Sequence, residues 1–354
     1  MTAVPLASGG AAAAVAAPRA IALWLFACCA LVFAMVVVGG VTRLTHSGLS
    51  ITEWQPIVGT LPPLTPEAWQ EAFAKYQATP EYRQVNHGMG LGEFKGIFWW
   101  EYAHRLLGRA IGLAFIVPYL VFLVRRRIPP GYAGALLGLF VLGGLQGALG
   151  WYMVKSGLVD DPRVSQFRLT AHLALAFLIF AAMLWVALSL VASPRLARPL
   201  APAVRRVRWH ALAVLGLVFA MVLSGGLVAG IRAGFAYNTF PLMNGSVVPP
   251  ELLLLEPAWK NFFWNMATVQ FDHRVIALAL AVAVPWLAWR VGTTPALPER
   301  AVQGGRWLLF MLVLQIALGI ATLLLVVPLP LAALHQAGAL ALFALAVNVA
   351  HALR

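Results

Sequence analysis

Eight runs of twenty or more mostly apolar residues divide this chain, and they limit what it can fold into more than any other feature. They lie at about 20–41, 98–124, 131–154, 168–192, 207–230, 264–290, 304–327 and 330–353. As a helix, each is long enough to cross about 30 Å of hydrocarbon. Lipid offers backbone groups no hydrogen-bond partner, so a spanning segment must bond to itself. The expected fold is an all-α integral membrane protein with eight transmembrane helices. Only 10% of residues are charged, against about 25% in a soluble domain. The Ala/Gly-rich stretch 1–19 reads as a disordered tail. It lacks the basic region and cleavage site of a signal peptide, so the first span reads as an uncleaved anchor.

The net charge of +13 does not point to nucleic acid, because of where the charges fall. Thirteen of the 25 Lys and Arg lie at the N-terminal flank, in the even-to-odd connections and at the C-terminus: Arg19, Arg125, Arg126, Arg127, Arg195, Arg198, Arg205, Arg206, Arg208, Arg290, Arg300, Arg306 and Arg354. Glu299 is the one acid among them. That is a positive-inside pattern. It places both termini in the cytoplasm and the longest loop, 42–97, outside, with the excess charge facing anionic lipid headgroups. Cys28 and Cys29 are adjacent within the first span and point in different directions on a helix, so no mutual disulfide is expected.

The chain also repeats itself. "GGVTRLTHSGLSITEWQPIVGTLPP" follows the first span and "GGLVAGIRAGFAYNTFPLMNGSVVPP" the fifth. "EYAHR" opens the second span and "QFDHR" the sixth, 169 positions later; Gln146 and Gln315 keep that offset. Each half holds an even number of spans, so the halves insert with one orientation, related by a pseudo-twofold axis along the membrane normal. The expectation is two four-helix bundles, 20–195 and 196–354.

Four histidines hold matching places. His104, His172, His273 and His335 each lie within about one to two turns of the start of an even-numbered span, near the outer face. Two imidazoles per bundle, on different helices, suit a metal centre. Zinc would want three or four ligands per site, whereas two His supply the axial ligands of a haem. Small residues stand one or two turns along from each, Gly108, Gly112, Ala176, Ala277, Ala281 and Ala339, either as a slot for a flat macrocycle or as ordinary helix packing. Arg105, Arg109, Arg168 and Arg274 lie at the outer end, as partners for haem propionates or as snorkelling side chains.

The halves differ in one respect. Glu101 precedes His104 by three positions and shares its face; its counterpart is Gln270. A carboxylate beside a haem edge can relay a proton, act as acid or base, or stabilise a developing cation. It can equally pair with Arg105. The first half therefore reads as the reaction site and the second as a bound haem for electron transfer or structure.

These residues carry a resemblance. "GGVTRLTHSGLSITEW", "NHGMGLGEFKGIFWWEYAHRLLGR", "RLTAHL", "FDHR" and "LHQ" are similar to the motifs of the haem A synthase family, and the likeness covers nearly all of the chain beyond the tail. It implies a membrane oxidoreductase of cytochrome oxidase biogenesis. The reaction would oxidise the C8 methyl of haem O, the substrate, to the formyl group of haem A, the product, by two hydroxylations and loss of water. It implies a b-type haem held by His273 and His335 in the second half. Haem O would bind in the first, with His104 and His172 as candidate iron ligands and Glu101 close by. Some members carry a cysteine pair in the outward loops; this chain has none and resembles the cysteine-free proteobacterial and mitochondrial branch. The resemblance implies a multi-pass protein of the bacterial inner membrane. Candidate partners are haem O synthase, cytochrome oxidase assembly factors, membrane lipid, a second copy of the chain and an unassigned electron donor.

Two rival functions are a dihaem carrier oxidising quinol and a haem transporter. Haems at a single depth argue against the first, and the few polar groups in the inner halves of the helices against the second. His46, His87, His210 and His351 read as interfacial. Trp54, Trp69, Trp99 and Trp100 read as an interfacial belt or a cap on the haem slot.

Overall fold

A computed structural model describes residues 9–55, 58–159, 162–192 and 201–354, with side chains described from residue 18 onward. Eleven α-helices follow one another: α1 Gly9–Leu44, α2 Pro66–Gln77, α3 Pro80–Gln84, α4 Leu91–Val124, α5 Tyr132–Lys155, α6 Gln166–Val191, α7 Pro202–Gly230, α8 Asn261–Trp264, α9 Met266–Thr293, α10 Glu299–Leu324 and α11 Leu329–Ala352. Eight of them (α1 from Pro18, α4 to α7, and α9 to α11) are long and apolar enough to cross a membrane. The protein is a multi-pass, all-helical membrane protein. Among the described residues the only strand-like pairing is one bridge, Met243 to Ser246.

Two expectations change at the N-terminal side. The tail expected over 1–19 is helical from Gly9, as a run rich in alanine favours; residues 1–8 lie outside the described residues, as do Arg195, Arg198 and the expected boundary at 195/196. The outward loop expected to run to residue 97 ends at Gly90. There Glu93 accepts a hydrogen bond from the Gly90 N–H at 2.9 Å, and α4 starts at Leu91. The seven added residues, 91–97, bring Phe94 beside Phe98 in an aromatic cap with Trp69 and Tyr76. Trp69 packs edge-on to Phe98 at 4.9 Å and Tyr76 stacks on Phe94 at 5.2 Å. Pro66 and Pro80 open α2 and α3, and Thr65 and Thr79 cap them. Trp69 is therefore core of the cap, while Trp54, Trp99 and Trp100 stay exposed.

Helices α1, α4, α5 and α6 contact one another in a closed ring, α1 to α4 to α5 to α6 and back. Helices α7, α9, α10 and α11 do the same. The rings meet through α1 with α11, α6 with α7 and α6 with α11. One apolar core runs through both, with Phe177 of α6 against Phe343 of α11 at 5.3 Å across the seam. Cys28 and Cys29 are free and buried.

Candidate functional site

The four histidines sit near one end of the bundle, and a repeated device seats each. His172 and His335 lie six residues into α6 and α11, and His273 seven into α9. His104 lies thirteen residues into α4, deeper along its helix than the sequence suggests, because α4 extends upward into the aromatic cap. Each ring rests on a glycine of a neighbouring helix. A Cβ on Gly39 of α1 would stand 2.9 Å from His104 Cε1; on Gly150 of α5, 3.0 Å from His172; on Gly225 of α7, 3.4 Å from His273; on Gly319 of α10, 2.9 Å from His335. The imidazoles of His104 and His172 interact electrostatically, as do those of His273 and His335. Gln146 donates to the carbonyl of His172 at 3.0 Å, and Gln315 to that of His335 at 2.8 Å.

These surroundings suit a ligated macrocycle. Nδ1 of His104, His172 and His335 is enclosed without a partner, while His273 Nδ1 meets Ser224 Oγ at 3.1 Å. His172 Nε2 also lies 3.3 Å from Gln146 Nε2; buried imidazoles with few polar neighbours, two to each half on different helices, fit two axial-ligand sets. No group of three or more His, Cys, Asp or Glu that could hold a metal ion occurs among the described residues, so the zinc alternative finds no support. The slot residues divide. Gly112 faces open space, but a Cβ on Gly108 would stand 3.1 Å from Met35 Cε, so Gly108 serves the packing of α1 on α4.

Glu101 is buried, and its charge is fully engaged. Oε1 accepts from Arg105 Nη2 at 2.6 Å and Nε at 3.0 Å; Oε2 accepts from Ser50 Oγ and the Ile51 N–H, both at 2.8 Å. Arg105 reaches on to the carbonyls of Ile51 and Glu53. Gln270 does the matching work with an amide: it donates to the Ala233 carbonyl at 2.7 Å and accepts from Arg274, which donates to the carbonyls of Tyr237, Thr239 and Pro241. Both pairs pin the chain after the preceding span onto the histidine helix. A carboxylate is not confined to the first half, as the sequence comparison of Glu101 with Gln270 suggests. Asp272, whose counterpart is Ala103, lines a cavity of about 230 Å³ with Ser224, Leu227, Phe262, Phe263, Val269 and Ile276. The acid has moved two positions around the helix, so aligning one position against its counterpart overlooks it.

Arg109 and Arg168 donate to the carbonyls of Gln55 and Tyr152 at 2.9 and 2.8 Å, and Arg168 stacks on the Tyr152 ring. Arg43, at the last turn of α1, has no hydrogen-bond acceptor among the described residues, and Arg232 lies close enough for its charge to be felt there. The sequence gives one sign of Arg43: it stands one turn beyond Gly39. Exposed His46 meets Arg232 Nη2 at 3.3 Å, and burial and the two arginines hold His46 below its ordinary range. His87 is exposed, His210 lies beside Trp286 and Arg290, and His351 is buried at the opposite end of the bundle, against Ser189 and Trp185.

Residues 22–347 match the family model of cytochrome oxidase assembly proteins. The chain belongs to this family. A protein of Nitrosospira multiformis named "Heme A synthase" is 60% identical over 96% of this chain and 95% of its own length. Proteins of the same name from Nitrosomonas eutropha and Parvibaculum lavamentivorans are 56% and 52% identical, over 93% and 95% of this chain and 92% and 94% of their own lengths. The motifs that carried the sequence resemblance all lie inside the matched region.

Proposed function

We propose that this protein oxidises the C8 methyl of haem O to a formyl group, giving haem A, by two successive hydroxylations and loss of water. The observation that carries the proposal is the pair of buried imidazoles in each half, in a chain 60% identical over nearly its full length to a protein named for that synthesis. The dihaem electron carrier receives no support from these names. His104 and His172 hold the substrate iron. His273 and His335 fit a b-type haem, with Ser224 fixing the His273 tautomer; that haem, when bound, supplies one-electron redox chemistry. Arg105 and Arg274 hold the loops over the two sites. Glu101 acts as a positioning residue and as a fixed negative charge near the face of His104, where a charge developing on the substrate would be stabilised.

The two rings of helices read as bundles related by a pseudo-twofold axis. Exchanging α1, α4, α5 and α6 for α7, α9, α10 and α11 maps the contact of α1 with α11 onto that of α7 with α6. His46 and Arg232, 186 positions apart like Gly39 and Gly225, touch each other. The charge pattern supports a place in the bacterial inner membrane with both termini cytoplasmic and the histidines near the outer face.

The test is Glu101→Gln, with haem extracted and weighed by mass spectrometry. Loss of one such interaction lowers rate on the order of 10²–10³-fold, so haem O or its C8 hydroxymethyl derivative accumulates while haem stays bound. Normal haem A output from this variant, with Gln270→Glu the damaging change, reverses the assignment of the halves.

A further inference from the structure

We propose that Arg43 binds a propionate carboxylate of the substrate macrocycle, with Arg232 and His46 completing a cationic pocket above the His104–His172 site. The inference rests on the assignment of haem O to the first four spans.

Arg43 lies four residues after Gly39, on one face of α1. Gly39 is the residue on which the His104 ring rests, 2.9 Å from its built Cβ to Cε1. One helical turn is about 5.4 Å, so Arg43 stands that far outward of the histidine. Its neighbour Thr42 fixes the end of α1 against α4, sharing its hydroxyl between the Val38 and Trp100 carbonyls. The backbone that carries the guanidinium is therefore anchored one turn beyond the glycine that seats His104.

What Arg43 lacks is an acceptor. Arg105, Arg109, Arg168 and Arg274, at the outer ends of their spans, each donate to a backbone carbonyl, and Arg232, just after α7, meets His46. Arg43 donates to none among the described residues, and the charges around it make its position worse. Arg232 acts on it directly and His46 adjoins Arg232. The acid that faces this group is Glu81 of α3, which feels Arg232 and is itself buried with Oε2 unpartnered. Five N–H donors on a half-buried guanidinium, with no protein acceptor among the described residues and a second cation close by, favour an anion that joins them. The planar fork matches a carboxylate in a bidentate grip. A haem presents two propionates at one edge. The place that corresponds to Arg43 in the second half, 186 positions on, is Ala229, so the grip belongs to the substrate half alone.

The test uses full-length protein carrying His273→Leu, so that the first-half site is the one titrated, with haem O and haem O dimethyl ester as probes followed in the Soret band. With Arg43 intact the free acid binds more tightly than the ester. Arg43→Gln raises the dissociation constant for the acid roughly 10- to 100-fold, leaves that for the ester unchanged and abolishes the discrimination. Arg43→Lys, which keeps the charge and loses the fork, gives an intermediate loss on the acid alone and serves where the Gln variant does not assemble. Assembly is read from the low-spin spectrum of the second-half haem in an Arg43→Gln protein that retains His273. Unchanged acid binding, or equal weakening of acid and ester, overturns the proposal. If His104→Leu leaves the titration untouched, the placement of the substrate fails and this inference with it. If His104→Leu abolishes binding and Arg43→Gln does not change it, the role of Arg43 alone fails.

Discussion

Two glycines that seat histidine rings of the same half should respond differently to one added methyl group. Gly225 and Gly319 both support histidines of the second half, but the space over them is unequal. A Cβ on Gly225 meets His273 Cε1 at 3.4 Å, near ordinary contact; on Gly319 it meets His335 Cε1 at 2.9 Å. Restoring a usual separation of about 3.5–4.0 Å requires the His335 ring to retreat by roughly 0.6–1 Å, whereas His273 need give only a few tenths. Both changes gain helix propensity, up to about 1 kcal/mol. At Gly225→Ala that gain is nearly unopposed. At Gly319→Ala it meets overpacking of about 1–3 kcal/mol, which displaces a ring that the proposed function directs at iron. A ligand displaced by an ångström loses on the order of 10²-fold where geometry decides the outcome. Purified variants loaded with haem b and titrated in the Soret band should show near-normal affinity and a low-spin spectrum for Gly225→Ala. Gly319→Ala should bind haem about 10- to 100-fold more weakly, with a shift toward high spin. Equal effects of the two substitutions, or a larger effect at Gly225, would refute the view that these glycines are spacers for the rings.

Three other outcomes follow. Replacing either His273 or His335 with Leu removes the low-spin spectrum of protein loaded only with haem b; a bis-imidazole spectrum retained in both variants denies them the iron. A cytoplasm-active reporter is active when fused after Arg127 and silent when fused at Gln77, and the reverse result inverts the topology and places all four histidines at the inner face. Glu81 is pushed up to about 8 from 4.5, chiefly by burial and further by Glu101, with Arg232 opposing. The folded cap therefore holds a proton there that the unfolded chain releases above about 4.5, so cap stability falls as pH rises from about 4.5 to about 8, by at most on the order of 5 kcal/mol. Hydrogen exchange of the cap segment should speed up over that range, and Glu81→Gln should flatten the trend; a flat profile in the unsubstituted protein shows Glu81 to be ionised in the fold.

Much of this was legible in the sequence, because lipid simplifies reading. A span must be a helix, so hydropathy alone locates eight of them, and the repeat then equates His104 with His273 and His172 with His335. Less was legible where contacts are tertiary. The start of α4 reads seven residues late, since Phe94 falls in the expected loop and Phe98 at the span edge, whereas the partners that draw them into the cap, Trp69 and Tyr76, are 18 or more positions away in sequence. Arg105 and Arg274 read as partners for haem propionates or as snorkelling side chains, yet backbone carbonyls of the preceding loops occupy them, and carbonyls have no signature in a sequence. Arg43 was overlooked for the complementary reason: its distinction is the absence of a partner. Asp272 escaped because a helix turns about 100° per residue, so an acid two positions from Gln270 faces another neighbour.

The contact between His46 and Arg232 bears on what a single chain can do that two identical subunits cannot. Where two copies of one protein meet about a twofold axis, a position on the axis faces itself, so the same side chain appears on both sides. Two arginines there would repel, and two histidines would bring only weak charge. Joining both halves in one polypeptide lifts that restriction: an imidazole can sit opposite a guanidinium at 3.3 Å, Arg43 can have an alanine as its counterpart, and Glu101 an amide. Covalent linkage thus lets one scaffold be used twice while each copy is tuned by itself, which is what the proposed function asks of neighbouring sites, one for a molecule to be changed and one for a molecule to be kept.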